Sequence, residues 1–354
     1  MTITQQVLIG NCAEILKTLP SESVDCVVTS PPYWGLRDYK TEPQVWGGRS
    51  DCEHDWTPEG VKRYDARRDH DGKDFGDTRG QEPMRSALDT ELDLGATCPM
   101  CGAWRGQLGL EPTPQLYIQH LVGIFDEVKR VLKRTGTCWV NLGDTYGGMT
   151  KTDKSLAQIP SRFAIAMTDS GWILRNEIIW WKRNCMPSSA KDRFTVDFEK
   201  LFFFVKSKKY YFEQQLEPVA ECSIKRAEYG WNRDRANNGV DGPQGIHVEK
   251  MGTRFVRPSG RNKRCVWDIT TRPYKGAHFA VFPPELVETP IKAGCPVGGV
   301  VLDPFGGTGT TSEVARRLGR ASIIIELNPE YLKLVKERAR TDIPDLRSFE
   351  EVTP

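Results

Sequence analysis

No apolar run in this 354-residue sequence is long enough to cross a bilayer, so no transmembrane helix is expected. The N-terminal stretch Met1 to Gly10 lacks the basic-then-apolar pattern of a secretory leader, and a cytoplasmic location is expected from that. Internal repeats and low-complexity tracts are absent. The net charge is only +2, so the chain as a whole advertises no polyanionic partner. Any nucleic-acid contact must come from local basic surface. What is present, 38% hydrophobic and 27% charged residues, fits a soluble globular enzyme and not a disordered or fibrous chain. The length holds one large α/β domain with insertions, or two modest domains. The 10 cysteines, in a reducing compartment, argue for buried thiols and metal ligands more than for disulfides.

Regular α/β patterning comes in separate stretches. Val7 to Ile9, Ala13 to Leu19 and Val24 to Val28 read as strand, helix, strand. The spacing of Tyr117, Leu121, Ile124, Phe125, Val128 and Val131 predicts a helix, with Pro114 near its start and Gly136 past its end. Cys138 to Leu142 then reads as a strand. A helix over 159–169 follows, then strands at 178–181 and 200–205, and a third strand or hairpin end at 210–212. From 279 to about 340 the order is helix, strand, glycine loop, helix, strand 322–326, helix. Residues 36–111 and 213–275 break the pattern: the first is rich in Asp, Arg and Gly, and the second gains Arg, Asn and Gly. Connections that long are functional, separately stabilised or mobile.

Two segments carry chemistry. Thr29-Ser30-Pro31-Pro32-Tyr33-Trp34 follows the apolar run 24–28, and Asp303-Pro304-Phe305-Gly306-Gly307-Thr308-Gly309-Thr310-Thr311 follows the run 299–302. Each reads as a buried parallel strand opening into a loop. Ligands of open α/β sheets bind beyond the carboxyl ends of the strands, so the two loops can face one crevice. The glycine loop has no Gly-Lys-Ser/Thr, which argues against a phosphate-binding loop, and it lacks the Gly-x-Gly-x-x-Gly spacing of a dinucleotide site. Asp-Pro-Phe-x-Gly-x-Gly-Thr-Thr, together with Ser-Pro-Pro-Tyr, resembles the amino-methylating DNA methyltransferases that use S-adenosylmethionine, with the catalytic loop first and the cofactor loop last. Pro-Cys, the usual setting of the thiolate for methylation at carbon 5 of cytosine, is absent, which excludes that covalent route.

The resemblance implies a Rossmann-like α/β fold, a mixed sheet flanked by helices and circularly permuted. It implies that Asp303, Phe305, Gly306, Gly307, Thr308, Gly309 and Thr310 wrap the methionine part of the cofactor. Glu326, ending the next strand, would accept the ribose hydroxyls, as the acid does in dinucleotide folds. A structural turn with a surface Glu is the plainer alternative. An exocyclic amine is a poor nucleophile because its lone pair is delocalised into the ring. By the resemblance, Ser30 Oγ and the Pro31 carbonyl accept its N–H bonds and localise the lone pair. Pro31 and Pro32 stiffen the turn, and Tyr33 offers a face for an extruded base. The alternative is a Pro-Pro turn with an aromatic packed beneath. Ser before Pro-Pro-Tyr is more typical of relatives acting on cytosine N4, and Asp or Asn of adenine N6 enzymes; the motif leaves both open. More distant alternatives are an RNA or protein-amide methyltransferase and a non-catalytic DNA-binding regulator. Gly10-Asn11 stands where many relatives carry Gly-Asp, and Asn11 is left outside the site because it cannot be a charged acceptor.

Cys52, His54, Cys98 and Cys101 bracket the irregular insertion. Cys-x-His and Cys-x-x-Cys-Gly can supply a tetrahedral zinc set, and the metal would staple a segment too polar to make a good core. A redox pair or plain buried thiols are the alternatives, and His70 is a less favoured ligand. Residues 213–275 carry Lys225, Arg226, Arg233, Arg235, Lys250, Arg254, Arg257, Arg261, Lys263 and Arg264 with Tyr229 and Trp231 between them. They stand where the resembled family keeps its target-recognition region, so double-stranded DNA is the expected partner, against a solvated basic loop. A companion restriction endonuclease is a further expected partner. The expected division is 1–35 with 112–212 as the catalytic part, 36–111 as the zinc insertion, 213–275 as the recognition region, 276–340 as the cofactor part and 341–354 as a tail.

Overall fold

The computed structural model describes residues 4–39, 41–65, 89–146, 154–219, 222, 260–272, 282–340 and 349–352. Nine strands form the central sheet: β1 (Gln5–Ile9), β2 (Val24–Thr29), β3 (Leu132–Leu142), β4 (Ile173–Trp181), β5 (Phe198–Val205), β6 (Val266–Asp268), β7 (Val300–Asp303), β8 (Ala321–Glu326) and β9 (Phe349–Val352). Their spatial order is β6-β4-β5-β3-β2-β7-β8-β1-β9. β5 runs antiparallel to both β3 and β4; the other neighbours are parallel. The sheet is therefore mixed, as expected.

Successive side chains of a strand point to opposite faces, and here both faces are buried. On β3, Cys138, Val140 and Leu142 enter one core and Trp139 the other; on β5, Phe202 and Phe204 oppose Leu201, Phe203 and Val205. The first core is covered by α1 (Cys12–Thr18), α2 (Pro114–Val131) and α3 (Ile159–Asp169). The second is covered by α4 (Pro284–Gly294) and α5 (Thr310–Arg317). A last helix, α6 (Glu330–Arg340), places Val335 against Val7 and Ile324. Thr113 caps α2 by accepting the Leu116 N–H at 3.2 Å, with Pro114 in the first turn where its missing N–H costs nothing.

β2 and β7 are neighbours in the middle of the sheet, with Cys26 opposite Val301 and Val27 opposite Leu302. The next sheet strand after β2 is β3, on one side, and the next after β7 is β8, on the other. The chain thus diverges between them, which opens the crevice where ligands of such sheets bind.

The structure departs from the sequence reading at three places. Residues 210–212 form no strand; Tyr210 and Phe212 lie against the Phe203 ring at 5.8 and 5.7 Å between centroids, so ring packing holds them. The expected tail contains β9, which pairs in parallel with β1 and forms a sheet edge. The 36–111 insertion is not a poor core kept apart. Trp46, Trp104, Leu108 and Leu110 are buried, and Trp46, Trp104 and Leu108 join the first core. A four-stranded antiparallel sheet (Gln44–Trp46, Trp104–Gly106, Ala96–Thr97, Thr57–Pro58) presents the two tryptophans, which stack on His120 of α2 at 5.7 and 5.6 Å. His120 Nδ1 pairs with the buried Glu111 carboxylate at 3.0 Å.

Residues 213–264 form a separate compact unit. Its described part is a short antiparallel pair, Leu216–Glu217 with Arg261–Asn262, in which Glu217 Oε1 accepts from Arg261 and Arg264. Lys225, Arg226, Tyr229, Trp231, Arg233, Arg235, Lys250, Arg254 and Arg257 of the expected recognition region lie outside the described residues, as does His70. No described helix is long and apolar enough to cross a membrane.

Candidate active site

The turn after β2 and the loop after β7 open into one cavity of about 620 Å³, within the roughly 300–1,000 Å³ range of small-molecule sites. Ser30, Pro31, Pro32 and Tyr33 line it, together with Phe305, Gly306, Gly307, Thr308, Thr310 and Glu326. Asp303 and Gly309 are not on its wall. Asp303 is 1% exposed and sits behind the loop. Gly309 is the N-cap of α5, with φ of 80°.

Asp303 braces the site from behind. Its Oδ1 accepts the Thr29 hydroxyl at 2.6 Å and the Phe305 N–H at 3.1 Å. Its Oδ2 accepts the Thr311 hydroxyl at 2.7 Å. Burial raises the Asp303 carboxyl above its usual range, against these hydrogen bonds. The glycine loop needs its residue types. Gly306 passes so close to β8 that a Cβ would meet Ile324 at 2.9 Å. Gly307 has φ of 50°, and a Cβ there would meet nothing nearer than 4.0 Å. Its N–H donates to Glu326 Oε2 at 2.7 Å, and Asn328 N–H donates to Oε1 at 2.8 Å. Burial pushes the Glu326 carboxyl up to about 7 despite those bonds.

The Pro-Pro turn is held from three sides. Tyr117 Oη donates to the Pro32 carbonyl at 2.6 Å. Trp34 is buried, and its indole N–H donates to the Glu111 carbonyl at 2.8 Å. Tyr33 Oη donates to Glu199 Oε2 at 2.7 Å, has Asn141 Oδ1 at 3.0 Å, and receives a long bond from Ser30 Oγ at 3.4 Å. Glu199 also pairs with Lys182. Burial first, then the charge of Glu199, pushes the Tyr33 hydroxyl well above its ordinary pKa, so it stays a neutral phenol. Gly143 leaves room for the Tyr33 ring, since a Cβ there would come within 2.5 Å of it.

Two wall residues were missed by sequence reasoning, Asn141 and Glu199; Trp180 and Lys182 also line the cavity, as does Asn11, which is left outside the expected site. Asn11 is both wall and N-cap of α1, accepting the Ala13 N–H at 2.9 Å. The Gly10-Asn11 pair was the available signal for it. Lys182 directly follows β4 and Glu199 is the second residue of β5, and a single sequence does not announce that the two meet.

Cys52, His54, Cys98 and Cys101 do come together, with their ligand atoms all within 4.8 Å of one another. Cys52 Sγ and Cys98 Sγ are 3.9 Å apart, and Cys101 Sγ lies 3.4 Å from His54 Nδ1. Tetrahedral zinc with Zn–S of ~2.3 Å and Zn–N of ~2.0 Å needs about 3.8 Å and about 3.5 Å for such pairs. The donor set and its spacing therefore fit the metal. Burial and the neighbouring thiols push Cys52 up to about 11. For Cys98 burial also opposes ionisation, but hydrogen bonds from His54 and backbone N–H groups outweigh it and bring the thiol down to about 6.

Residues 24–337 match the DNA methylase family N6_N4_Mtase. The chain is 33% identical to the Type II methyltransferase M.SmaI of Serratia marcescens, over 94% of this chain and 90% of that one. It is 34% identical to the Type II methyltransferase M.XycI of Xanthomonas campestris pv. cyanopsidis, over 93% and 85%. Among solved structures it resembles the PvuII DNA methyltransferase (cytosine-N4-specific), with a TM-score of 0.57 at 18% identity, covering 97% of this chain and 89% of that one. It also resembles a putative DNA modification methylase of Thermus thermophilus, complexed with S-adenosyl-L-methionine, with a TM-score of 0.54 at 21% identity, covering 98% and 99%. These likenesses to solved structures are likenesses of fold. The family match and the relatives establish that this chain belongs to the amino-methylating, S-adenosylmethionine-dependent DNA methyltransferases.

Proposed function

We propose that the chain methylates the N4 amine of cytosine in double-stranded DNA, taking the methyl group from S-adenosylmethionine, on a base turned out of the helix. The observation that carries this is the single cavity walled by both the Ser-Pro-Pro-Tyr turn and the glycine loop. The residues fit the cofactor. The open space before Gly307 accepts a ligand where any side chain would intrude. Each Glu326 oxygen accepts one backbone N–H and keeps a lone pair for a ribose hydroxyl. Phe305, Gly306, Gly307, Thr308 and Thr310 would border the methionine end, with Asp303 and Gly309 shaping the loop from behind. When bound, the cofactor supplies an electrophilic sulfonium methyl.

At the other end, Ser30 Oγ and the Pro31 carbonyl are the acceptors for the amine N–H bonds. The Pro32 carbonyl already accepts the Tyr117 hydroxyl. The Tyr33 ring is the stacking face, fixed by its hydroxyl contacts. Cytosine is favoured over adenine by the serine before Pro-Pro-Tyr. Cys52, His54, Cys98 and Cys101 would hold a structural zinc that fixes the small sheet carrying Trp46, itself a wall residue. Residues 213–275 are the proposed DNA-reading region, and a nuclease of the same site specificity is the proposed companion. Free buried thiols and a thiol-rich metal site suit the reducing cytoplasm. The test is transfer of labelled methyl from the cofactor to duplex DNA, followed by nucleoside analysis. Label in N4-methylcytosine supports the reading, label in N6-methyladenine moves it to the adenine branch, and no label in DNA refutes it.

A further inference from the structure

We propose that Glu199 is the terminal acceptor of the proton that the target amine sheds, reached through Ser30 and Tyr33. This rests on the amine methylation proposed above. As the amine nitrogen gains its methyl, the S–C bond pair stays on sulfur, and one N–H proton must leave. Ser30 Oγ is the acceptor assigned to that N–H. Its own hydroxyl proton points along a 3.4 Å contact to Tyr33 Oη, and the Tyr33 proton along a 2.7 Å bond to Glu199 Oε2. A concerted shift along this chain leaves Ser30 and Tyr33 neutral, as before, and places the proton on the Glu199 carboxylate. No co-reactant is needed. Tyr33 is kept a phenol by its burial and by Glu199, so it can pass a proton but does not store the charge.

The groups facing Glu199 fit this role. Tyr33 comes from the β2 turn, Lys182 from the end of β4 and Asn141 from β3, and all line the same cavity as Glu199. Asn141 Oδ1 also lies within reach of Tyr33 Oη, but a carboxylate is the stronger acceptor and is nearer. Lys182 pairs with Glu199. Its ammonium also sits 4.5 Å from the Trp180 ring centre, which fixes its place. Glu199 is a positioning and relay residue, because it acts through Tyr33.

The experiment compares wild type, Glu199→Gln and Tyr33→Phe in single-turnover methyl transfer to duplex DNA, in H2O and D2O. Wild-type transfer must first be seen, which separates failure of this proposal from failure of the underlying reading. The relay predicts a solvent isotope effect in wild type. It predicts a loss of about 10²-fold in Glu199→Gln, with that effect reduced toward unity and the dissociation constants for cofactor and DNA unchanged. Tyr33→Phe should behave alike, so the comparison survives if one variant fails to fold. In the free protein, the Tyr33 hydroxyl proton should give a downfield NMR resonance that Tyr33→Phe removes and Glu199→Gln moves upfield. Wild-type rates in Glu199→Gln, or a slowed variant whose isotope effect is unchanged, would overturn the proposal.

Discussion

Thr29 and Asp303 lie 274 positions apart in the chain, and the Thr29 hydroxyl donates a buried 2.6 Å hydrogen bond to Asp303 Oδ1. That bond ties the end of β2 to the end of β7 and sets the Pro-Pro turn and the glycine loop on the same cavity. Asp303→Ala would strand two buried hydroxyls and the Phe305 N–H. A loss of about 1–3 kcal/mol is expected from unmet buried polar groups, read as a lower urea midpoint, together with weaker cofactor binding. Unchanged stability would show that the brace does not matter.

Glu326 gives a pH dependence with a definite sign. Its carboxyl is raised from 4.5 to about 7, so the folded protein holds the proton over that window and the unfolded chain does not. Its contribution therefore favours folding below about 4.5 and is lost as pH rises toward about 7. Cofactor binding runs the other way, because the ionised carboxylate is the better acceptor for ribose hydroxyls. Calorimetric affinity should rise about tenfold between roughly pH 6 and pH 8, following the ionised fraction. In Glu326→Gln the affinity should be lower and flat.

Ser30→Ala removes one proposed amine acceptor without touching the glycine loop. Turnover should fall about 10²-fold or more, with the cofactor dissociation constant unchanged. Full activity in this variant would take the acceptor role away from Ser30.

Gly307→Val should lose both binding and turnover. The backbone φ of 50° disfavours a β-branched residue, and the new side chain would occupy the space before the loop. Calorimetry should find no cofactor binding. Retained binding would place the ligand elsewhere.

The proposed zinc site predicts one metal ion per chain by elemental analysis. Cys98→Ser or chelation should release it and lower the melting temperature, because the small sheet carrying Trp46 and Trp104 loses its staple. A metal-free protein in which Cys98→Ser melts like wild type would contradict the assignment.

The fold class and both loops were legible because each buried strand is an apolar run and each loop stands at a strand's carboxyl end. The four zinc-type ligands were legible from their spacing at the two edges of the insertion. Other features were set by tertiary contact. Trp46 and Trp104 look like isolated aromatics in a polar stretch, and only their stacking on His120 puts them in the core. Glu199 is not singled out in the sequence, and nothing there pairs it with Lys182. Their meeting depends on the antiparallel register that sets Trp180 opposite Glu199. Phe349–Val352, with Glu350 and Glu351 in its middle, lacks strand-like alternation and becomes an edge strand through pairing with β1. The aromatic run at 210–212 misled in the opposite sense, since β-propensity there reflects rings seeking a partner and not a ladder.

The most direct measurement is expression of the chain in a methylation-free host, followed by single-molecule sequencing of the host DNA. N4-methylcytosine is expected at one recurring motif, absent when Ser30→Ala is expressed to the same level. Unmodified DNA from wild-type protein that is well expressed and binds S-adenosylmethionine would contradict it.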